Sequence, residues 1–133
     1  MSDRLLFVCR GNTCRSPMAA ALARAQGLDA ESAGLDPPAG RHAAPNAVRA
    51  LRAARGLDLE DHTPRSVDDV PRSAFDRIVA VTPAVARRLR AEHDVPADRL
   101  VTWALPDPYG GSRADYRWCL EQIAMALDDL REE

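Results

Sequence analysis

Four consecutive apolar residues, Leu5-Leu6-Phe7-Val8, run into Cys9 and are cut off by Gly11-Asn12; Ser16-Pro17 then opens an alanine-rich stretch reaching Gln26-Gly27. This junction constrains the fold more than any other feature of the chain. A short, continuous apolar run bounded by a turn reads as a strand buried on both faces, and such strands belong to parallel sheets covered by helices. Ser16 is expected to cap the following helix and Pro17 to take its first position, where a missing N–H costs nothing. The alanines beyond have the highest helix propensity.

The same alternation continues along the chain. Ala30 to Ala33 is expected to form a second strand ended by Gly34, and Leu35 to Ala44, with Pro37, Pro38 and Gly40, a loop. Val48, Leu51 and Ala54 mark one face of a helix that stops at Gly56. Leu57 to Val70 is turn-rich and receives no element. Ile78 to Val81 reads as a buried strand, Thr82-Pro83 as the start of a helix to about Glu92, and Leu100 to Trp103 as a fourth strand. The last helix is expected to start at Ser112, with Asp115 as the partner of a capping-box variant, and to bury Tyr116, Leu120, Ile123, Leu127 and Leu130. Strands alternating with helices predict an α/β fold: a flavodoxin-like, doubly wound, four-stranded parallel sheet with helices on both faces. Residues 1–133 are read as one domain, a length able to bury an ordinary core without disulfides or metal. Ligands of such sheets sit at the carboxyl ends of the strands, and both Cys9 and Asp107 fall just beyond predicted strand ends.

A net charge of -2 gives no global electrostatic case for nucleic acid or an anionic membrane, so an anion site has to be built locally. The chain has no lysine, which leaves arginine as its permanent side-chain cation. Three cysteines, Cys9, Cys14 and Cys119, argue against a disulfide framework and for a reducing compartment; the expected location is cytoplasmic. The apolar run Leu5 to Cys9 is too short for a signal-peptide core, and no stretch approaches the roughly 18 apolar residues of a membrane span. No cofactor or metal is expected, because Cys9 and Cys14 lack the two further spaced ligands of a zinc site.

The loop Cys9-Arg10-Gly11-Asn12-Thr13-Cys14-Arg15-Ser16 joins a strand to a helix N-terminus. Such a loop can curl so that successive N–H groups point inward, and the helix dipole reinforces the resulting anion nest. The same field favours a thiolate at Cys9. Arg15, six residues on, can close over the nest with its planar fork; a lone arginine in a first helical turn is disfavoured by the dipole unless an anion is near. Thiolate, cradle and guanidinium together describe transfer of a phosphoryl group to sulfur. The loop lacks the Gly-Lys-Ser/Thr ending of a nucleotide-binding loop. Cys14 reads as a neighbour able to form a reversible disulfide with an oxidised Cys9, and Cys119 as structural. His62 reads as a satisfied core histidine; His42 and His93 carry no signal.

The string Val8-Cys9-Arg10-Gly11-Asn12-Thr13-Cys14-Arg15-Ser16-Pro17 resembles the signature of the low-molecular-weight protein tyrosine phosphatases, including the bacterial arginine phosphatases of that family. Ser32-Ala33-Gly34, His62-Thr63-Pro64-Arg65-Ser66, Phe75-Asp76-Arg77-Ile78 and Asp107-Pro108-Tyr109-Gly110 resemble its other motifs in their usual order. The resemblance implies Cys9 as nucleophile, Arg15 as phosphate clamp and Asp107 as the acid that protonates the leaving group and then activates water. Arg10, Gly11, Asn12, Thr13, Cys14 and Ser16 would form the phosphate loop, and Asn12, Ser16, Ser32 and His62 a network holding its curl. Tyr109 would wall the pocket. The implied partner is a phosphorylated protein, with the chain expected to act as a monomer.

Substrate choice divides the residues. Tyrosine-directed relatives place a bulky apolar side chain at the position of Thr13 and an aromatic in the loop corresponding to Leu35 to Ala44; here Thr13 is small and polar and the loop has no aromatic. That favours phosphoarginine. Arg10 beside the nucleophile would repel an arginine side chain if it faces the cleft, and Tyr109 offers a ring for stacking, which tips the expectation to phosphotyrosine. Arsenate reduction on the same fold needs two further redox cysteines, and none lies between Val79 and Arg90. An inactive phosphate-binding module is disfavoured because nucleophile, clamp and acid are all present.

Overall fold

The computed structural model describes residues 3–132. Arg4–Cys9 (β1), Asp29–Gly34 (β2), Arg77–Ala80 (β3) and Leu100–Thr102 (β4) form one parallel sheet in the order β2-β1-β3-β4. Arg15–Ala25 (α1), Pro45–Arg55 (α2), Pro83–His93 (α3) and Arg113–Arg131 (α4) are the helices. This is the flavodoxin-like, doubly wound α/β architecture that the sequence predicts.

Alternation along β1 explains the two layers. Leu5 and Phe7 face a core shared with α1, α2 and α4, whereas Leu6, Val8 and Cys9 face a core with α3, Val67 and Phe75. Each large aliphatic or aromatic side chain fully buried in this way contributes about 1.5–3 kcal/mol. α1 is buried almost all round, from Arg15 to Ala23, because its alanines let the sheet and two helices approach it closely. Its end is set at Gly27, whose φ of 86° lets Leu28 N–H return to the Ala23 carbonyl at 3.0 Å.

Two helix starts follow the sequence directly. Thr82 Oγ1 accepts Val85 N–H with Pro83 in the first helical position, and Ser112 and Asp115 close a full capping box on α4. At α1 the expected cap is corrected. The helix begins at Arg15 with Cys14 as N-cap and no side-chain cap bond, so Ser16 is already inside the first turn and Pro17 stands third. The Ser16 hydroxyl is committed instead to the loop beneath it. The α2 seam is also shifted: Ala47, Ala50 and Leu51 are buried while Val48 and Ala54 are only partly so, because α2 presents this face to α4. Val81 lies just past β3, its N–H donating to the Val8 carbonyl at 3.0 Å.

From β1 the chain moves outward to β2, then returns past β1 to β3. The loops after β1 and β3 therefore diverge and leave a crevice at the carboxyl ends of the strands. Residues 57–70 are turn-rich, with a single 3-10 turn at Val67–Asp69 capped by Ser66 and a bridge between Ser66 and Gly34. That path carries His62 and Arg65 underneath the loop that follows β1. No helix among the described residues is long and apolar enough to cross a membrane.

Candidate active site

Cys9 closes β1, is 2% exposed, and lies at the floor of a cleft of about 530 Å³. Its Sγ accepts the Asn12 N–H at 3.1 Å and stands 2.9 Å from Ser16 Oγ. Asn12 makes the turn possible. Its φ of 55° is left-handed, a conformation asparagine tolerates better than most residues but still at a cost. The surroundings over-determine it: Nδ2 donates to Ser16 Oγ at 2.8 Å and to Ser32 Oγ at 2.9 Å, and Oδ1 accepts Arg65 N–H at 3.0 Å. The Asn12 carbonyl meets His62 Nε2 at 2.7 Å. A carbonyl oxygen only accepts, so Nε2 carries the ring proton. Burial holds the His62 pKa below the usual imidazole range, which keeps that ring neutral.

Ser16 Oγ accepts from Asn12 and has one hydrogen of its own, for which Cys9 Sγ at 2.9 Å and the Ala33 carbonyl at 3.3 Å compete. A thiolate at Sγ would draw that hydrogen and so be met by two donors, the Asn12 amide and the Ser16 hydroxyl. Cys14 does not compete for that charge. Burial first, and the Cys9 charge second, push its thiol up to about 11.

Arg15 is the first residue of α1 and is 7% exposed. Its Nε is buried with no hydrogen-bond partner among the described residues. A guanidinium so desolvated at the positive end of a helix, and pointed into a cleft, calls for an anion. On the opposite rim Asp107 lines the same cleft, its Oδ1 accepting Tyr109 N–H at 3.1 Å. A proton on this carboxyl therefore belongs on Oδ2. Tyr109 is 72% exposed and forms part of the wall. Arg10, Gly11 and Thr13 complete the loop side. The arrangement can hold a tetrahedral oxyanion between Cys9 Sγ and the Arg15 guanidinium, with the Asp107 carboxyl lining the same cleft.

The sequence profile of the low molecular weight phosphotyrosine protein phosphatase family matches residues 4–133. The chain belongs to this family. A low molecular weight protein-tyrosine-phosphatase of Streptomyces coelicolor is 34% identical, over 98% of this chain and 92% of the relative. The crystal structure of a low molecular weight protein tyrosine phosphatase from T. tengcongensis superposes with a TM-score of 0.90 at 34% identity, over 98% of this chain and 99% of that one. A protein-arginine-phosphatase of Geobacillus stearothermophilus is 28% identical, over 100% of this chain and 97% of the relative. The chain is accordingly a cysteine-dependent protein phosphatase.

In this phosphatase the cleft gathers residues that sequence reasoning passed over. Arg41 and His42 line it from the loop after β2, although His42 carries no motif. Asp36 lines it too, with its amide bonded to the Arg10 carbonyl at 2.8 Å. The Asp36 carboxylate is taken up by Arg88 of α3 at 2.6 and 3.1 Å and approaches Arg10 at 3.7 Å. Arg88, with Arg10 adding to it, holds that carboxyl below its usual range. Arg65 is a second omission: its side chain bonds the Ser32 carbonyl and Glu31, which sets its amide against Asn12. Neither pairing has a local signal, since the partners are 52 and 34 residues apart.

Proposed function

We propose that this phosphatase hydrolyses phosphotyrosine on proteins through a cysteinyl-phosphate intermediate, in one catalytic domain spanning residues 1–133. The observation that carries the mechanism is the convergence of Cys9, Arg15 and Asp107 on one cleft, with the buried Arg15 Nε unpartnered among the described residues. Cys9 thiolate attacks phosphorus and the bond to the phenolic oxygen breaks, while the proton on Asp107 Oδ2 passes to that oxygen. Arg15 and the loop amides take the charge on the equatorial oxygens. Asp107, now a carboxylate, removes a proton from water as it attacks the phosphocysteine. Thiolate leaves, stabilised by the Ser16 hydroxyl and the Asn12 amide, and inorganic phosphate is released.

Tyrosine over arginine rests on the charges at the mouth. Arg10 and Arg41 line it, and Asp36, which could have received a guanidinium, is already engaged by Arg88. Tyr109 supplies a face for a phenyl ring. The second reading, protein phosphoarginine, is favoured by Thr13 on the cleft wall and by the likeness to the arginine phosphatase. Phosphotyrosine and phosphoarginine peptides of matched sequence, assayed side by side, decide between them. The expected result is a higher kcat/KM on phosphotyrosine, a further shift that way in Thr13→Ile, and no turnover of either in Cys9→Ser. A higher kcat/KM on phosphoarginine overturns the substrate, and retained activity in Cys9→Ser overturns the mechanism.

A further inference from the structure

Asp107 is exposed, and its loop has little packing of its own; of residues 105–111 only Pro108 is buried. The loop is also poor in donors, because Pro106 and Pro108 have no N–H. Its carbonyls are therefore the available handles. The chain enters the loop fixed by Leu105 N–H on the Val81 carbonyl at 2.9 Å, and Gly111 N–H returns to the Pro108 carbonyl at 2.8 Å. Besides the Tyr109 N–H on Asp107 Oδ1, two ties come from side chains outside the motif. Cys119, fully buried on α4, donates its S–H to the Pro106 carbonyl at 3.6 Å, immediately before the acid. Asn46, second residue of α2, donates Nδ2–H to the Gly111 carbonyl at 3.3 Å. Burial pushes the Cys119 thiol up to about 12, so it keeps its proton and remains a donor at every working pH.

We propose that Cys119 and Asn46 are positioning residues for Asp107, gripping its loop by one carbonyl on each side and so setting where the carboxyl meets the leaving group. The bland account of Cys119, a small buried hydrophobe, leaves its bond to the loop unused; that of Asn46, a helix-start residue, does not explain why its amide reaches across to residue 111. The proposal rests on Asp107 as general acid.

The experiment compares kcat/KM for phenyl phosphate, a poor leaving group, and para-nitrophenyl phosphate, a good one, with thermal midpoints recorded for every variant. Asp107→Asn serves as reference. Cys119→Ala is expected to lose about three- to tenfold on phenyl phosphate and less than about twofold on para-nitrophenyl phosphate, with Cys119→Ser, which restores a donor, recovering most of the loss. Asn46→Asp should show the same selective loss without unfolding. Its carboxylate suits a helix start and is neutralised by Arg49, which already bonds Asn46 Oδ1 at 3.0 Å, but it cannot donate to the Gly111 carbonyl. Equal losses on both substrates in Cys119→Ala and Asn46→Asp, with Asp107→Asn still selective, overturn the positioning role and leave the general acid standing. Equal losses in Asp107→Asn itself overturn both.

Discussion

Gly34→Ala is predicted to damage this phosphatase more than any motif-based reading of that glycine suggests. Gly34 ends β2 opposite Cys9, and its φ is not left-handed, so the reason for glycine is space. A Cβ built there meets the Arg10 carbonyl oxygen and the Asn12 nitrogen at 2.9 Å and Asn12 Cβ at 3.0 Å. Ordinary contact begins at 3.4 Å, so β2 and the loop must separate by about 0.5 Å, and backbone on both sides cannot rotate away. The atoms pushed are functional: Asn12 N–H is bonded to Cys9 Sγ, and the Arg10 carbonyl holds Asp36 N–H.

Overpacking of this kind costs about 1–3 kcal/mol, which at roughly 3–5 °C per kcal/mol for a chain of this size lowers Tm by about 3–15 °C. A 1 Å misplacement at a reacting centre can cost about a hundredfold, so a shift of about half that length is expected to reduce kcat/KM about tenfold. Gly11→Ala is the control, because its Cβ meets nothing nearer than Thr13 Oγ1 at 3.5 Å; its Tm should stay within a few degrees of the parent. Scanning calorimetry and turnover of para-nitrophenyl phosphate provide both readings. A Gly34→Ala protein with parental Tm and kcat/KM within twofold would refute the packing argument.

Two further outcomes follow from the buried titratable groups. Peroxide is expected to convert Cys9 to a sulfenic acid, which the Cys14 thiolate captures as a disulfide with loss of water. The Cys14 thiol is pushed up to about 11, chiefly by burial that oxidation of Cys9 does not relieve, so the attacking thiolate is a minor form at pH 7. Recovery by thiol after a fixed degree of inactivation should therefore rise between about pH 7 and 9 and vanish in Cys14→Ala; equal recovery in that variant would exclude the disulfide. For His62, whose pKa burial depresses, the unfolded chain takes up a proton as pH falls through 6.5 that the folded chain refuses. Folding stability should thus decline from pH 6.5 down through the folded value, by at most about 1.4 kcal/mol per pH unit, and the decline should be shallower in His62→Gln, which keeps an N–H donor. Parallel slopes in urea titrations at pH 5 and pH 7 would remove that role.

The loop network explains how the left-handed turn at Asn12 is held between Cys9 and the buried Arg15. Each polar atom around Asn12 has a partner, so the left-handed turn is held by many modest bonds of about 1 kcal/mol rather than by one strong one. Losing any of the outer members leaves another buried group unsatisfied, which costs more than the bond itself.

The sequence by itself determined the sheet and the loop that carries Cys9 and Arg15, because those depend on local order. The apolar run of β1, the proline-marked start of α3, the Ser112–Asp115 capping box and the spacing of Cys9 to Arg15 are all set by residues within a few positions of one another. Where local rules compete, it misled. Ser16 is an excellent cap by propensity, yet in the fold its one hydroxyl serves Asn12 and Cys9, a use that requires Ser32 and Ala33 from another strand. The family resemblance already put His62 in the network around the loop, 50 residues away; tertiary structure alone decided that the Arg65 amide buttresses it from 53 residues away, that Arg88 occupies Asp36, and that Cys119 reaches the Pro106 carbonyl. No periodicity marks any of these pairings, and the motif that contains His62 and Arg65 does not say which atoms they meet. A hydrogen bond between distant segments depends on where two backbones are brought by the packing of the layers between them, and that is a property of the whole core rather than of any window of the chain.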